Sequence, residues 1–246
     1  MKQTIKSIVI GVVLVAVCYG AGYGVGKLLK SMMNKRIEYP HSDREQVTDN
    51  YFGHEVADPY RWLEDDLSER TAEWVKQQNE VTFGYLGELG ARKAIRARLE
   101  ELYNYPTESA PVKRGDWYYV SRNSGLQNQS VLYRKRTLDG EEEVFFDPNT
   151  LSDDGTVALH SGTFTKDGRL FAYSLASAGS DWVEIFVMDT ETKQLLPDHI
   201  KWVKFSGASW QRDGKGFYYS AYDAPQEGDA LYSAQNTNQK VYFHRI

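Results

Sequence analysis

The sequence predicts a mainly β fold of propeller type, and three observations predict it. The first is an internal repeat. Phe164-Thr-Lys-Asp-Gly-Arg-Leu-Phe-Ala-Tyr-Ser174 returns 46 residues later as Trp210-Gln-Arg-Asp-Gly-Lys-Gly-Phe-Tyr-Tyr-Ser220. Asp167-Gly168 falls on Asp213-Gly214, Phe171 on Phe217, Tyr173 on Tyr219 and Ser174 on Ser220. The second is the chemistry at the centre of each copy: Asp-Gly between alternating aromatic segments marks a hairpin, because glycine takes positive φ without a Cβ clash. The third is the aromatic load of 17 Tyr, 10 Phe and 6 Trp, placed mostly in alternating runs. Such runs suit a pleated, half-buried surface. Repeats of ~40–50 residues made of short strands are how propeller blades read in sequence.

Bulk properties narrow the function classes. The 246 residues carry 29 basic and 34 acidic side chains, a formal net charge of −5. With no basic stripe interleaved with aromatics, nucleic acid is not an expected partner. Cys18 is the one cysteine, which excludes an internal disulfide and a cysteine-based metal site. Asp153-Asp154 and Asp181 lie beside Gly or Ser in turn-like stretches, where Asp serves the backbone and needs no metal. No cofactor and no metal is expected.

Taken in order, residues 1–36 read as a membrane anchor or signal segment. Ser7 to Gly26 is a run of 20 residues without a charge, flanked by Lys2 and Lys6 before and by Lys27, Lys30, Lys35 and Arg36 after. A helix of that length is ~30 Å long, the thickness of a bilayer's hydrocarbon core. The expectation is a single-pass anchor through residues 7–26. Its alternative is a cleaved export signal, whose apolar region would be shorter. Residues 37–104 read as an extended arm followed by two helices. Tyr39-Pro40 and Asp58-Pro59-Tyr60-Arg-Trp-Leu-Glu64 are biased away from helix by their prolines. The arm's Tyr39, Tyr51, Phe52, Tyr60 and Trp62 need a surface to cover. Asp66-Leu-Ser-Glu69 has capping-box spacing with Asp as the cap. Leu67, Thr71, Trp74, Val75, Gln78, Val81, Thr82, Tyr85 and Leu86 then recur at helical intervals, and Ile95, Leu99, Leu102 and Tyr103 do so in a second helix that ends before Pro106. Arg92, Lys93, Arg96 and Arg98 read as a solvated face of that helix rather than a lipid contact.

From Tyr105 the period changes from helical to alternating, and residues 105–246 read as a partial propeller. Asp116–Ser121, Ser130–Lys135, Glu143–Asp147, Trp182–Met188 and Lys240–Arg245 are its predicted strands, beside those of the repeat. Gly115, Tyr118, Val120 and Ser121 lie 53 residues before Gly168, Phe171, Tyr173 and Ser174, a weaker first copy of the repeat. The strands make up most of three blades.

Several longer stretches carry a resemblance. Asp58-Pro-Tyr-Arg-Trp-Leu-Glu-Asp65, Gly125-Leu-Gln-Asn-Gln-Ser-Val-Leu-Tyr133, Asp147-Pro-Asn-Thr-Leu-Ser-Asp-Asp-Gly-Thr-Val-Ala-Leu159, Ser177-Ala-Gly-Ser-Asp-Trp182, Val203-Lys-Phe-Ser206 and Asp213-Gly-Lys-Gly-Phe217 are ordered along the chain. Through them the chain from Tyr39 to Ile246 resembles the N-terminal part of prolyl oligopeptidase, a serine peptidase that cleaves short peptides after proline. The resemblance implies a seven-bladed propeller capping an α/β-hydrolase domain, of which this chain holds about three blades. It implies that Tyr39 to about Asn104 packs on that hydrolase, and that the propeller admits short peptides while excluding folded proteins. The partners it implies are the hydrolase domain with the remaining blades, on this or a separate chain, and short proline-containing peptides.

The family's nucleophile, acid and histidine all lie beyond the matching stretches. No Gly-x-Ser-x-Gly elbow occurs; the nearest string, Gly207-Ala-Ser-Trp-Gln211, lacks the closing glycine. His41, His54, His160, His199 and His244 match no catalytic position of the family, so no catalytic residue is assigned. One contact carries over by resemblance: the phenylalanine of Val-Lys-Phe-Ser reaches toward the bound peptide, which here is Phe205. Spacing alone fits a phenylalanine packed inside a blade equally well. The expected function is therefore the gating portion of a serine oligopeptidase, without its own chemistry. The alternatives are a membrane-tethered, non-catalytic propeller-like binding module and a truncated remnant.

Overall fold

The computed structural model describes residues 37–224 and 236–246. The anchor expected over residues 7–26 lies outside them, and no helix among the described residues is long and apolar enough to cross a membrane. The described residues fall into two compact units, residues 37–43 with Glu73–Leu86, and Arg44–Ala72 with Gly87–Ile246. In the first, Trp74 donates through Nε1 to Ser42 Oγ at 2.9 Å.

The arm is less extended than its prolines suggest. Strands β1 (Thr48–Tyr51) and β2 (His54–Ala57) form a small hairpin. Phe52 and Gly53 fill its turn at φ 54° and 90°, and Asn50 Oδ1 accepts from Gly53 N–H at 2.8 Å. Helix α1 (Glu69–Glu88) is capped by Ser68 and not by Asp66: Ser68 Oγ accepts from Thr71 N–H at 3.1 Å. The hydroxyl sits immediately before the first helical residue, where it reaches an unpaired N–H of the opening turn. Helix α2 (Ala91–Tyr103) has the predicted stripe, yet Ile95, Leu99, Leu102 and Tyr103 are all exposed. Its cations do face solvent, with Arg96 paired to Glu100 at 2.8 Å and Arg98 to Glu101 at 2.7 Å.

After α2 the described chain is built from successive antiparallel meanders. The first comprises β3 (Thr107–Glu108), β4 (Val112–Arg114), β5 (Trp117–Asn123), β6 (Val131–Lys135) and β7 (Glu142–Phe146), with β3 and β4 both on β5. The second runs β8 (Val157–Phe164), β9 (Leu170–Ser177), β10 (Trp182–Asp189), β11 (Leu195–Lys204), each paired with the next. The third holds β12 (Ser209–Trp210), β13 (Gly216–Ala221) and β14 (Lys240–Arg245), with Val203 of the second in register opposite Ala221. The repeat read in the sequence is the first hairpin of each meander: β4–β5, β8–β9 and β12–β13. Gly115, Gly168 and Gly214 turn these hairpins at φ 55°, 76° and 70°.

The first two turns also meet. A Cβ on Gly115 would sit 2.4 Å from the Asp167 carbonyl oxygen, and one on Gly168 would sit 2.6 Å from Gly115 N. Backbone packs on backbone there, which only glycine permits.

The second meander is buried on both faces, and the period of two divides its side chains between them. Phe171, Tyr173 and Met188 face the first meander and pack with Tyr119 and Phe145. Ala172, Val183, Ile185 and Val187 face the third and pack with Phe217 and Ala221. Burial on both faces explains why Trp182–Met188 is nearly all apolar instead of alternating. The aromatic pairs are offset or edge-on, as at Tyr119–Phe145 (5.0 Å, 75°) and Phe145–Phe171 (5.5 Å, 70°), the arrangement ring quadrupoles favour.

Candidate functional site

The end of β11 carries Val203-Lys-Phe-Ser206, and the four side chains do four different things. Val203 is fully buried, in register with Val183 on β10 and Ala221 on β13. Phe205 is 69% exposed, which removes the blade-core reading that spacing left open. Ser206 Oγ accepts from Ser220 N–H at 2.8 Å and fastens the turn to β13.

Lys204 is 7% exposed, a long cationic side chain laid under aromatic rings. Its Nζ lies 4.9 Å from the Trp182 ring centroid and 5.4 Å from that of Phe205. It is 3.9 Å from Asp181 Oδ2 and donates to Asn236 Oδ1 at 3.5 Å. A buried ammonium needs compensation, and the ring faces supply what two long polar contacts do not. Gln239 Nε2 donates to the Lys204 carbonyl at 3.2 Å, tying the strand end from its other side.

The backbone explains how adjacent residues diverge so sharply. Trp202 and Phe205 both sit in the left-handed region, at φ 61° and 54°. Bulky residues are rare there, and each such position costs of order 1–3 kcal/mol. The β10–β11 register also shifts twice, between Val183 and Ile185 and between Phe186 and Met188. Bulges of this kind re-aim side chains at the ends of strands. Trp182 meets Trp202 edge-on at 6.0 Å and Tyr222 edge-on at 5.9 Å. The result is an aromatic shelf with a cation beneath it and Phe205 projecting outward. It offers apolar, flat contact to a ligand.

Phe205 is the one site residue read from the sequence. Its supports Lys204, Trp182, Trp202 and Tyr222 were missed, although Trp-Val-Lys-Phe already crowds two rings and a cation into four positions.

Acid–base and nucleophilic groups are engaged elsewhere. Ser209, in the string nearest an elbow, lies in the two-residue strand β12. His160 Nδ1 is 3.5 Å from the buried Ser174 Oγ, His199 stacks on Phe186 and lies 2.5 Å from Glu184, and His244 is 2.6 Å from Asp198. Asp154 accepts from Thr156 N–H and Oγ1–H at 3.0 and 2.8 Å, which holds its carboxyl below the usual range. Among the described residues no group of three or more His, Cys, Asp or Glu is placed to hold a metal ion.

Comparison with known proteins identifies the family of the chain. Residues 39–246 match the family model for the prolyl oligopeptidase N-terminal beta-propeller domain. The prolyl endopeptidase of Elizabethkingia meningoseptica is 48% identical over 210 residues, covering 85% of this chain and 29% of that protein. Prolyl oligopeptidase A of Amanita bisporigera is 35% identical over 258 residues, covering 92% of this chain and 33% of its own. A solved prolyl endopeptidase, studied for inter-domain dynamics in catalysis and specificity, superposes with a TM-score of 0.72 at 30% identity, over 85% of this chain and 31% of that one. Prolyl oligopeptidase B from Galerina marginata, bound to a 25-mer macrocyclization substrate, superposes with a TM-score of 0.70 at 31% identity, over 85% of this chain and 32% of that one. The chain thus spans under a third of the length of the relative it shares 48% identity with.

Proposed function

We propose, from the premise that this chain belongs to the prolyl oligopeptidase family through its N-terminal propeller region, that it is the gating portion of a serine endopeptidase acting on short peptides after proline. The residues of the reaction are not in this region. The chemistry would be acyl transfer by Ser, His and Asp on a hydrolase domain: the serine attacks the carbonyl after proline, the histidine moves the proton and the aspartate orients the histidine. This chain contributes the wall through which a peptide passes, and Phe205 as an apolar plate against it.

The observation that carries this reading is the cost of presenting Phe205. An exposed aromatic held at positive φ, with a buried lysine beneath it, is poorly explained by stability. Strain of this kind collects where side chains meet ligands. Residues 37–104 would dock on the hydrolase, and the exposed apolar stripe of α2 supports that. The uncharged run at 7–26 would tether the protein to a membrane. Carbonate extraction of membranes is the check on the tether: retention supports it, and full release removes it.

The test of the enzymatic reading is a chimera in which residues 39–246 replace the matching region of the Elizabethkingia meningoseptica prolyl endopeptidase. Cleavage after proline in a short reporter peptide, and none in a folded protein containing the same sequence, is the expected result. A folded chimera that binds peptide and does not cleave it would favour a binding module instead.

A further inference from the structure

The first hairpins of the meanders bring a second set of residues together, in a cleft that Phe205 does not line. Lys113, Lys166 and Arg212 stand at one position of the internal repeat: Lys113 is 53 residues before Lys166, and Arg212 is 46 after it. With Arg114 they line a single open cleft of about 470 Å³ between β4, the β8–β9 turn and β12. Its floor includes Phe164 and Trp210, the latter fixed by its Nε1–H bond to the Thr163 carbonyl at 3.1 Å. All four cations are exposed, and among the described residues none of them forms an ion pair; Arg114 Nη1 donates to the Lys113 carbonyl at 2.9 Å and Lys113 Nζ lies 5.4 Å from the Tyr118 ring centroid.

The carboxylates of the same turns are already engaged. Asp167 Oδ1 accepts from Thr165 Oγ1–H at 2.6 Å and from Arg169 N–H at 3.1 Å, and Asp213 Oδ1 accepts from Lys215 N–H at 3.1 Å. Asp116 points to Arg136, at 4.0 Å. The bonds to Asp167 and Asp213 come from neutral donors and leave the carboxylates charged, so the cleft holds four cations beside the two turn carboxylates, a local excess of positive charge on a chain whose net charge is −5. Beyond a Debye length of about 8 Å at physiological salt the rest of the chain is screened, so the cleft's own field decides what approaches it.

We propose that this cleft is a docking site for acidic segments of peptides. Ammonium and guanidinium groups without a carboxylate partner, above an aromatic floor, match carboxylates carried on short apolar stems. A small inorganic anion would leave the Phe164 and Trp210 rings uncovered. The repeat itself builds the site, since each meander places one cation at the same point of its first hairpin. That the anion is a peptide rests on the peptidase reading above; that the cleft binds carboxylates does not.

The test is fluorescence anisotropy on the full chain with two labelled, proline-free peptides of equal length, one alternating Glu and Gly, the other Gln and Gly. Binding of the Glu peptide about tenfold tighter than the Gln peptide is expected, from several weak exposed pairs acting together, and it should weaken as salt rises. The triple variant K113Q/K166Q/R212Q should bring the Glu peptide down to the Gln level. A charge-matched control, R92Q/K93Q/K201Q, should leave the difference intact. K166E alone, at an exposed turn, serves if the triple variant does not fold. Equal binding of the two peptides, equal losses in site and control variants, or stronger competition by tripolyphosphate than by the unlabelled Glu peptide would each overturn the assignment. No proline is cleaved in this assay, so failure of the peptidase reading shows only in the chimera.

Discussion

At the scale of single residues, Arg134 shows how the first two meanders are pinned. The residue is 4% exposed, and its guanidinium lies 4.0 Å over the Trp117 ring, pairs with Glu143 at 2.5 Å and donates to the Thr190 carbonyl. Replacing it with Ala strands a buried carbonyl and removes the stack, and should cost about 2 kcal/mol by chemical denaturation. Arg134→Lys should recover little, since an ammonium cannot form the planar fork or the stack. The same contact holds the Glu143 carboxyl below its usual range, chiefly by the hydrogen bond from Arg134. Asp189 is likewise lowered, chiefly by its bond from Thr192 N–H. A depressed folded value means stabilisation that is complete above the unfolded carboxylate range and lost as pH falls through the folded value. Stability should therefore begin to fall as pH drops into the ordinary carboxylate range and keep falling to the lower folded values, and Asp189→Asn should flatten that dependence in thermal melts taken across acidic pH. Phe205 is the opposite case. Phe205→Gly relieves positive φ but gives up the ring over Lys204 Nζ and adds the backbone entropy of a glycine, so the opposing effects should leave stability within about 1 kcal/mol of the parent.

Among elements, the turn glycines differ in what they bear, although the repeat aligns them. Gly168→Ala would drive a Cβ to within 2.6 Å of Gly115 N, whereas the nearest atom to a Cβ on Gly214 is Thr165 Cγ2 at 3.4 Å. Gly168→Ala should thus cost more than about 3 kcal/mol, and Gly214→Ala about 1 kcal/mol, which is the left-handed strain alone. Equal melting temperatures for the two variants would contradict the backbone-on-backbone contact. The hairpins at these glycines were legible because Asp-Gly and period-two aromatics are local signals. Strand β11 was not: Pro197 falls inside it and two register shifts break its alternation against β10. The β1–β2 hairpin was hidden for a related reason, since Phe52 occupies a left-handed position that propensity assigns to Asn or Gly. The cap of α1 was misplaced by two residues because Asp66 has Glu69 three residues on, as the motif asks, whereas Ser68 has Thr71 there and caps as a single hydroxyl.

For the molecule as a whole, the account depends on one middle meander buried on both faces. Phe171→Ala opens a cavity in the cluster toward the first meander and should cost about 3–5 kcal/mol. The exposed face of the shelf costs nothing comparable to alter, so fold and ligand contact separate cleanly. Phe205 could be named from four letters of a family motif, but its exposure and its lysine support could not, because both arise from tertiary pairing of β10, β11 and β13. The measurement that tests the central claim most directly is steady-state kinetics of the Phe205→Ala variant in the chimera. Loss of a ligand plate that takes no part in bond-making should raise KM for a proline-containing peptide several-fold and leave kcat nearly unchanged. Unchanged KM in a folded, active chimera would contradict the assignment of Phe205, and with it the reading of this region as the wall that meets the peptide.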